Sequence, residues 1–238
     1  MFFPFLACGL GALGLLLLAS AGPLYRVGAV ALPTAFTILR WAAYIGIGAI
    51  VIAVPPAIIG YARGDRIRVL VAALGLLGGA VAFGLPFQWQ QSAQSAPRIH
   101  DISTDLENPP VFQAVVPLRA DAPNSLERPA TLAQQQREGY PDLAPVTLPV
   151  PVAQAYDRAL AEAQDAGWRI VTADRASGRI EATDTTRWFG FEDDVVVRLT
   201  PWGSGTRVDV RSVSRIGVSD VGTNARRIRN YLAELQAN

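Results

Sequence analysis

Three long apolar runs before Trp89 limit what this chain can become more than anything after them. Phe2–Ala21 carries no charged side chain and matches the length of about 20 residues that a helix needs to cross a bilayer. A second run covers about 36–61. Arg40 near its start can reach the headgroups, and Trp41 and Tyr44 suit the interface. A third covers about 69–87, closed by Pro86 and the interfacial Trp89. Residues 1–90 therefore read as a membrane portion, and any water-soluble fold must be built from the remainder.

The first run has a rival reading, because Ala19-Ser20-Ala21 has the form of a signal-peptide cleavage site. Against it, Met1 to Pro4 holds no basic side chain and the apolar run is long, so a retained helix ended by Pro23 and Arg26 is expected. The punctuated apolar stretch 24–32 is expected to lie along the bilayer surface. Arg63, Arg66 and Arg68 crowd one short connection, while the other carries only Arg26 and Arg40. The positive-inside rule then puts the N-terminus and the Arg63–Arg68 loop in the cytoplasm and the C-terminal part outside. Loss of the first span would leave that side unchanged. Ala42 and Gly46, and Gly75 and Gly79, stand four apart, a spacing that favours close packing of the three helices on one another. No Asp, Glu, Lys or His lies mid-span, which argues against a proton relay or ion path.

Charge divides unevenly. Residues 1–97 hold five Arg and one acid, and 98–238 hold sixteen Arg and nineteen acids. A net charge of +1 gives no support to nucleic-acid binding. Cys8 and His100 are the sole Cys and His, which excludes an intrachain disulfide and any multi-Cys or two-His metal site. No cofactor or metal is expected.

Residues 91–150 read as a tether followed by an extended arm wrapped on the domain. Pro109, Pro110, Pro117, Pro123, Pro129, Pro141, Pro145 and Pro149 deny it long helices and central strands, leaving a short helix near Leu132–Glu138. His100-Asp101 and Asp105–Glu107 could form a carboxylate or His site, but read first as turn caps in an irregular segment.

Residues 151–238 read as helix, four strands, helix. Pro151 opens the first helix and Gly167 ends it, with Val152, Tyr156, Leu160 or Ala159, and Ala163 as its apolar stripe. Trp168, Ile170, Ile180 and Ala182 share a face of the next two strands, around a turn at 174–178. The loop Arg187–Asp194 holds three aromatics and admits two readings: a tip that enters membrane or partner, or aromatics folded on the sheet edge.

The last hairpin has a derivable register. Val195, Val197 and Leu199 must face inward together with Thr206, Val208 and Val210. With a turn between Trp202 and Gly205, Pro201 faces Thr206, Val197 faces Val210 and Arg198 faces Asp209. The neighbouring register would oppose Arg198 to Arg207, which repulsion disfavours. The outer face then presents Arg198, Arg207, Asp209 and Arg211. Val221, Ala225, Ile228, Leu232 and Leu235 form the stripe of the closing helix, with Ser219 as N-cap. The fold class is α+β: three transmembrane helices, then an extracytoplasmic domain with a four-stranded antiparallel sheet and two helices packed on one face.

Ile99–Asp105 (IHDISTD), Asn108-Pro109-Pro110, Asp193–Arg198 (DDVVVR) and Arg211–Ile228 (RSVSRIGVSDVGTNARRI) together resemble the bacterial family of domain of unknown function 1499. The resemblance covers about 98–238 and singles out Asp193, Asp194, Arg198 and Asp209 as motif positions. With the topology above, a bacterial family implies the inner (cytoplasmic) membrane, with the domain on the periplasmic side. The family has no established activity, so function is weighed from residues.

One reading is a non-catalytic binding or interaction domain assisting an envelope complex, with membrane lipids and a membrane protein as partners. Another is a module for lipid or a small anion. Its site would combine Arg211, Arg215, Ser219, Asp220, Asn224 and Arg227 around the start of the last helix, where free amides attract anions. There the competing expectation is that Ser219 and Asp220 cap the helix and that Arg211 or Arg215 pairs with Asp193 or Asp194. The third is a hydrolase-like enzyme using the carboxylates Asp193 and Asp194, with Ser212 and Ser214 nearby. It lacks a neighbouring His, a Cys nucleophile, a Gly-x-Ser-x-Gly elbow and a phosphate loop.

Overall fold

The computed structural model describes residues 2–237, which form two compact units. The first contains the N-terminal helices to Gln94 together with Arg187–Gly190. Its helices are α1 (Phe2–Arg26), α2 (Leu32–Ala62) and α3 (Arg66–Ser95), each long and apolar enough to span a membrane.

The small-residue spacings are used inside this unit. A Cβ on Gly79 would stand 2.6 Å from the Gly46 carbonyl oxygen, and one on Gly75 would stand 2.7 Å from the Ala7 backbone. The glycine faces are thus covered by the chain's own helices. Two expectations about helix ends need correction. Residues 24–26 continue α1, so only a short turn, not a surface segment, separates it from α2. Residues 88–95 continue α3 instead of forming a loose tether, because no Gly or Pro interrupts them before Pro97.

Pro23 lies inside α1. It has no N–H to offer the carbonyl of Ala19, four residues back. That oxygen accepts the Trp188 indole N–H instead, at 3.3 Å. The Trp188 ring meets Gly22 and lies 4.9 Å from Trp89, centroid to centroid. Phe189 packs with Tyr25 and Phe36, and the Arg26 guanidinium donates to the Arg187 carbonyl at 3.0 Å. Trp188 and Phe189 therefore lie on the chain's own helices and not on the sheet edge.

The second unit (Ser95–Thr186 and Phe191–Asn238) is an α+β domain. Its sheet has six strands, two more than expected. They are β1 (Asp101–Ser103), β2 (Val146–Leu148), β3 (Arg169–Asp174), β4 (Arg179–Thr185), β5 (Glu192–Trp202) and β6 (Gly205–Ser214), all antiparallel. The order is β1-β6-β5-β4-β3, with β2 sharing the β6 edge with β1. The two extra strands come from the arm. They occupy the windows its prolines leave free, β1 ahead of Pro109 and β2 between Pro145 and Pro149. The remainder of the arm holds a 3₁₀ turn (Val116–Arg119) and α4 (Leu132–Gly139).

The β5–β6 register is the one derived above: Arg198 faces Asp209, Val197 faces Val210 and Pro201 faces Thr206. Gly203, with φ +57°, begins the two-residue turn. One face of the sheet buries Ile180, Ala182, Val195, Val197, Leu199, Val208 and Val210 against α5 (Val152–Asp165) and α6 (Thr223–Ala237). Of the two alternatives in the α5 stripe, Ala159 is fully buried and Leu160 only partly. In α6 the stripe begins at Ala225. Val221 precedes the helix with φ +52°, and Asp220, not Ser219, grips the first amides: its carboxylate accepts from Gly222 N–H (3.0 Å) and Asn224 N–H (2.6 Å).

The other face of the sheet carries Arg198, Arg207, Asp209 and Arg211, as expected. It is covered by the arm, with Phe112 and Val115 packing on Val196 and Val213. Val197 belongs to the helix-side core and is almost wholly buried. Its replacement by Ala should lower stability by about 2 kcal/mol, the scale of a small core truncation, as read from urea unfolding of the full chain in detergent.

Candidate functional site

Successive residues of a strand point to opposite faces, so the charged residues of β4, β5 and β6 divide into two clusters. On the arm side stand Glu181 and Thr183, then Asp194 and Arg198, then Arg207, Asp209 and Arg211, followed by Arg215 just beyond β6. β1 adds Asp101 beside them.

Each buried carboxylate in this layer has charged or amide partners. Asp194 has no exposed surface; it accepts from Arg215 through two nitrogens (2.9 and 2.8 Å), from the Thr183 hydroxyl (2.8 Å) and from Arg119 of the arm. Asp101 takes a two-pronged bond from Arg211 (3.0 and 2.8 Å) and another from Arg128. The Arg211 guanidinium also donates to the Pro110 and Leu126 carbonyls and lies over the Phe112 ring. Asp209 and Asp105 share Arg198 and Arg207. Glu181, fully buried, accepts the backbone N–H groups of Gln113 (2.9 Å) and Val115 (3.0 Å).

On the helix side a smaller cluster forms at the end of the sheet. Arg227 from α6 reaches Asp193 (2.6 Å), Asp184 (2.7 Å) and the Ser212 hydroxyl (3.0 Å). Asn224, wholly buried, donates to Ser214 Oγ and the His100 carbonyl, both at 3.0 Å, and accepts from Ser212 Oγ at 2.7 Å. Next to this cluster opens a groove of about 400 Å³ between α5 and α6. Glu162, Trp168, Asp184, Arg227, Tyr231 and Glu234 are among its walls. Burial, then the charges of Glu234 and Asp165, push the Glu162 carboxyl above its ordinary value.

The residues named from sequence as an anion site do not converge. Arg211 and Arg215 lie in the arm-side layer, bound to Asp101 and to Asp194 with Glu192. Asn224 and Arg227 belong to the helix-side cluster, while Ser219 and Asp220 sit in the loop between. Asp193 and Asp194, as strand neighbours, serve opposite faces and cannot act on one substrate as an acid–base pair. Of the motif positions, Arg198 and Asp209 do meet, at 3.0 Å.

Sequence reasoning missed Glu181, Asp184, Arg119 and Arg128, and treated Asp101 as a turn cap. The alternation Arg179, Glu181, Thr183 was visible, but a face solvated by water and one solvated by an arm have the same alternation. The one signal was in the arm itself, where Phe112 and Val115 are apolar residues with no other core to enter.

Residues 101–235 match the family model described as Protein of unknown function (DUF1499). No curated protein matches the chain. The match takes in more than half of the sequence, and the chain belongs to the DUF1499 family.

Burial raises the Asp194 carboxyl, but hydrogen bonds from Arg215, Arg119 and Thr183 outweigh it and hold the group below its ordinary value. A carboxylate depressed on folding adds stability above its unfolded pKa and loses it as pH falls through the folded one. Asp220 has the opposite sign. Burial raises it against its two backbone hydrogen bonds, so its contribution is present below the ordinary aspartate range and fades as pH rises. Asp194→Asn should cost about 3–5 kcal/mol near neutral pH, because it leaves the buried Arg119 without a carboxylate and Arg215 with Glu192 alone. Melting temperature against pH checks this: the variant should melt lower than wild type at neutral pH, with the gap narrowing in acid.

Proposed function

We propose that this DUF1499 member is a membrane-anchored, non-catalytic interaction protein. Its C-terminal domain faces the extracytoplasmic side of the bacterial inner membrane and engages a membrane-protein partner through the groove between α5 and α6. The observation that carries the reading is how the buried ionic groups are spent. Arg119, Arg211, Arg215 and Arg227 hold the domain's own carboxylates, and Asp193 and Asp194 point away from each other. Such an arrangement gives rigidity and not reactivity. What is left for recognition is concave surface, and the groove offers it, with Glu162 and Glu234 at its walls outside any ion pair among the described residues and outnumbering the one unpaired cation there, Arg226. A partner presenting basic side chains fits such a wall.

The orientation follows from Arg63, Arg66 and Arg68. They cluster at the turn from α2 to α3, where, among the described residues, Arg68 alone of the three is in an ion pair, with Asp65 at 3.4 Å. Three basic residues in so short a connection favour the cytoplasmic side, and an odd number of spans then carries residues 95–238 across.

Two measurements test the two halves. A reporter enzyme that works only outside the cytoplasm, fused after Asn238, should be active, and a fusion active only in the cytoplasm would overturn the orientation. Purification of tagged chain from membranes in mild detergent should recover a membrane protein in stoichiometric amount. The variant Glu162→Arg, Glu234→Arg should lose it while melting like wild type. Recovery undiminished by that variant would remove the groove from the interface.

A further inference from the structure

The loop that joins β6 to α6 is held in place at several points, yet it presents its apolar residues outward. Asn124 donates to the Gly217 carbonyl at 2.8 Å. The Ser219 hydroxyl donates to the Pro97 carbonyl at 3.0 Å and accepts the Val221 N–H, and Asp220 N–H bonds the Ile99 carbonyl at 3.2 Å. Against this restraint Val218 is 65% and Val221 37% exposed. Val221 is also the one non-glycine described residue with positive φ, at +52°. A β-branched side chain resists that conformation, which survives only where the surroundings impose it. Here Asp220 imposes it through Gly222 and Asn224.

The neighbours of this tip are basic. Arg98 adjoins Pro97 and Ile99, to which the loop is bonded, and Arg226 stands in the first turn of α6. Both are exposed, and neither has a carboxylate partner among the described residues. Every other cation close to the loop in sequence, from Arg211 to Arg229, is bound to an acid.

Chain length alone limits how far the tip can be from the bilayer. Trp89 marks the interfacial end of the third span. From it to Ser95 the helix rises about 9 Å at 1.5 Å per residue, and the two residues to Pro97 add at most about 7 Å. The headgroup layer itself is roughly 5–7 Å deep. Pro97, to which the loop is bonded, is therefore held within about 10 Å of the headgroup layer. We propose that the Gly217–Gly222 loop docks on the lipid surface, Val218 and Val221 entering the headgroup region while Arg98 and Arg226 meet anionic lipid phosphates. An apolar tip with a basic rim is the composition that binds such an interface. This rests on α3 crossing the bilayer, but not on the partner or the side proposed above.

The test uses the full chain with Cys8→Ala and a single new cysteine carrying an environment-sensitive fluorophore. Variants Val218→Cys, Ser204→Cys at the β5–β6 turn and Leu77→Cys within α3 are reconstituted separately in nanodiscs of phosphatidylcholine and phosphatidylglycerol. Lipids with a nitroxide at the headgroup should quench the 218 label several-fold more than the 204 label, and aqueous iodide should do the reverse. Adding Arg98→Gln and Arg226→Gln should weaken lipid quenching at 218. A 218 label reached by iodide and not by nitroxide sinks the docking, as does one shielded from both, which would indicate protein contact. The 77 label must be quenched by a nitroxide deep in the acyl region. Its failure would instead sink the bilayer-spanning reading.

Discussion

The domain depends on the pairing of carboxylates with arginines across a buried layer. An ionised carboxylate taken out of water costs several kcal/mol unless matching charge and hydrogen bonds replace what it lost. The arm-facing side of the sheet carries Glu181, Asp194 and Asp209, and such a face cannot close on an apolar layer. The arm meets it with Arg119, Arg128, the amides of Gln113 and Val115, and a small apolar patch at Phe112. Each element is thereby assigned one position, since a shift of one residue would present the wrong polarity throughout.

Arginine is well suited to this work. Arg211 makes a two-pronged bond to Asp101, donates to two carbonyls and lies over an aromatic ring, all at once. A lysine ammonium has neither the planar fork nor the number of donors for that set. The absence of lysine from the whole chain is thus harmless here, and at Arg211, Arg215 and Arg227 it matches the local geometry.

Much of the architecture was legible in the sequence because it rests on short-range rules. The apolar runs set the three helices, and period-two alternation with one charge argument set the β5–β6 register down to Arg198 against Asp209. What escaped reading depends on contacts remote in sequence. The arm's prolines did exclude long elements, but nothing local says that three residues around Ile102, or three around Thr147, will pair with a strand that begins more than fifty residues later. The proposed anion site failed to assemble for a related reason. Arg211, Arg215 and Arg227 are close in sequence, yet strand parity keeps the first two in the arm-side layer while the turn into α6 sends Arg227 to the helix side. Val221 fitted the helical spacing, and only the two amides bound by Asp220 show that the helix begins after it. Trp188 was a free aromatic in the sequence, whereas Pro23 had already left the carbonyl that its indole would take.

The bonds between arm and sheet have a consequence for the order in which the chain matures. Arg211 lies 110 residues beyond Asp101, and Asp194 lies 75 residues beyond Arg119. A ribosome releases the arm well before either partner exists. Closing so long a loop costs entropy that is repaid only when the last strand arrives. The Pro-rich segment must therefore travel unpaired until β6 is complete, and its low strand and helix propensity keeps it from committing to a wrong partner in the interval. The same prolines that hold the arm to two three-residue strands in the finished domain keep it open while it waits.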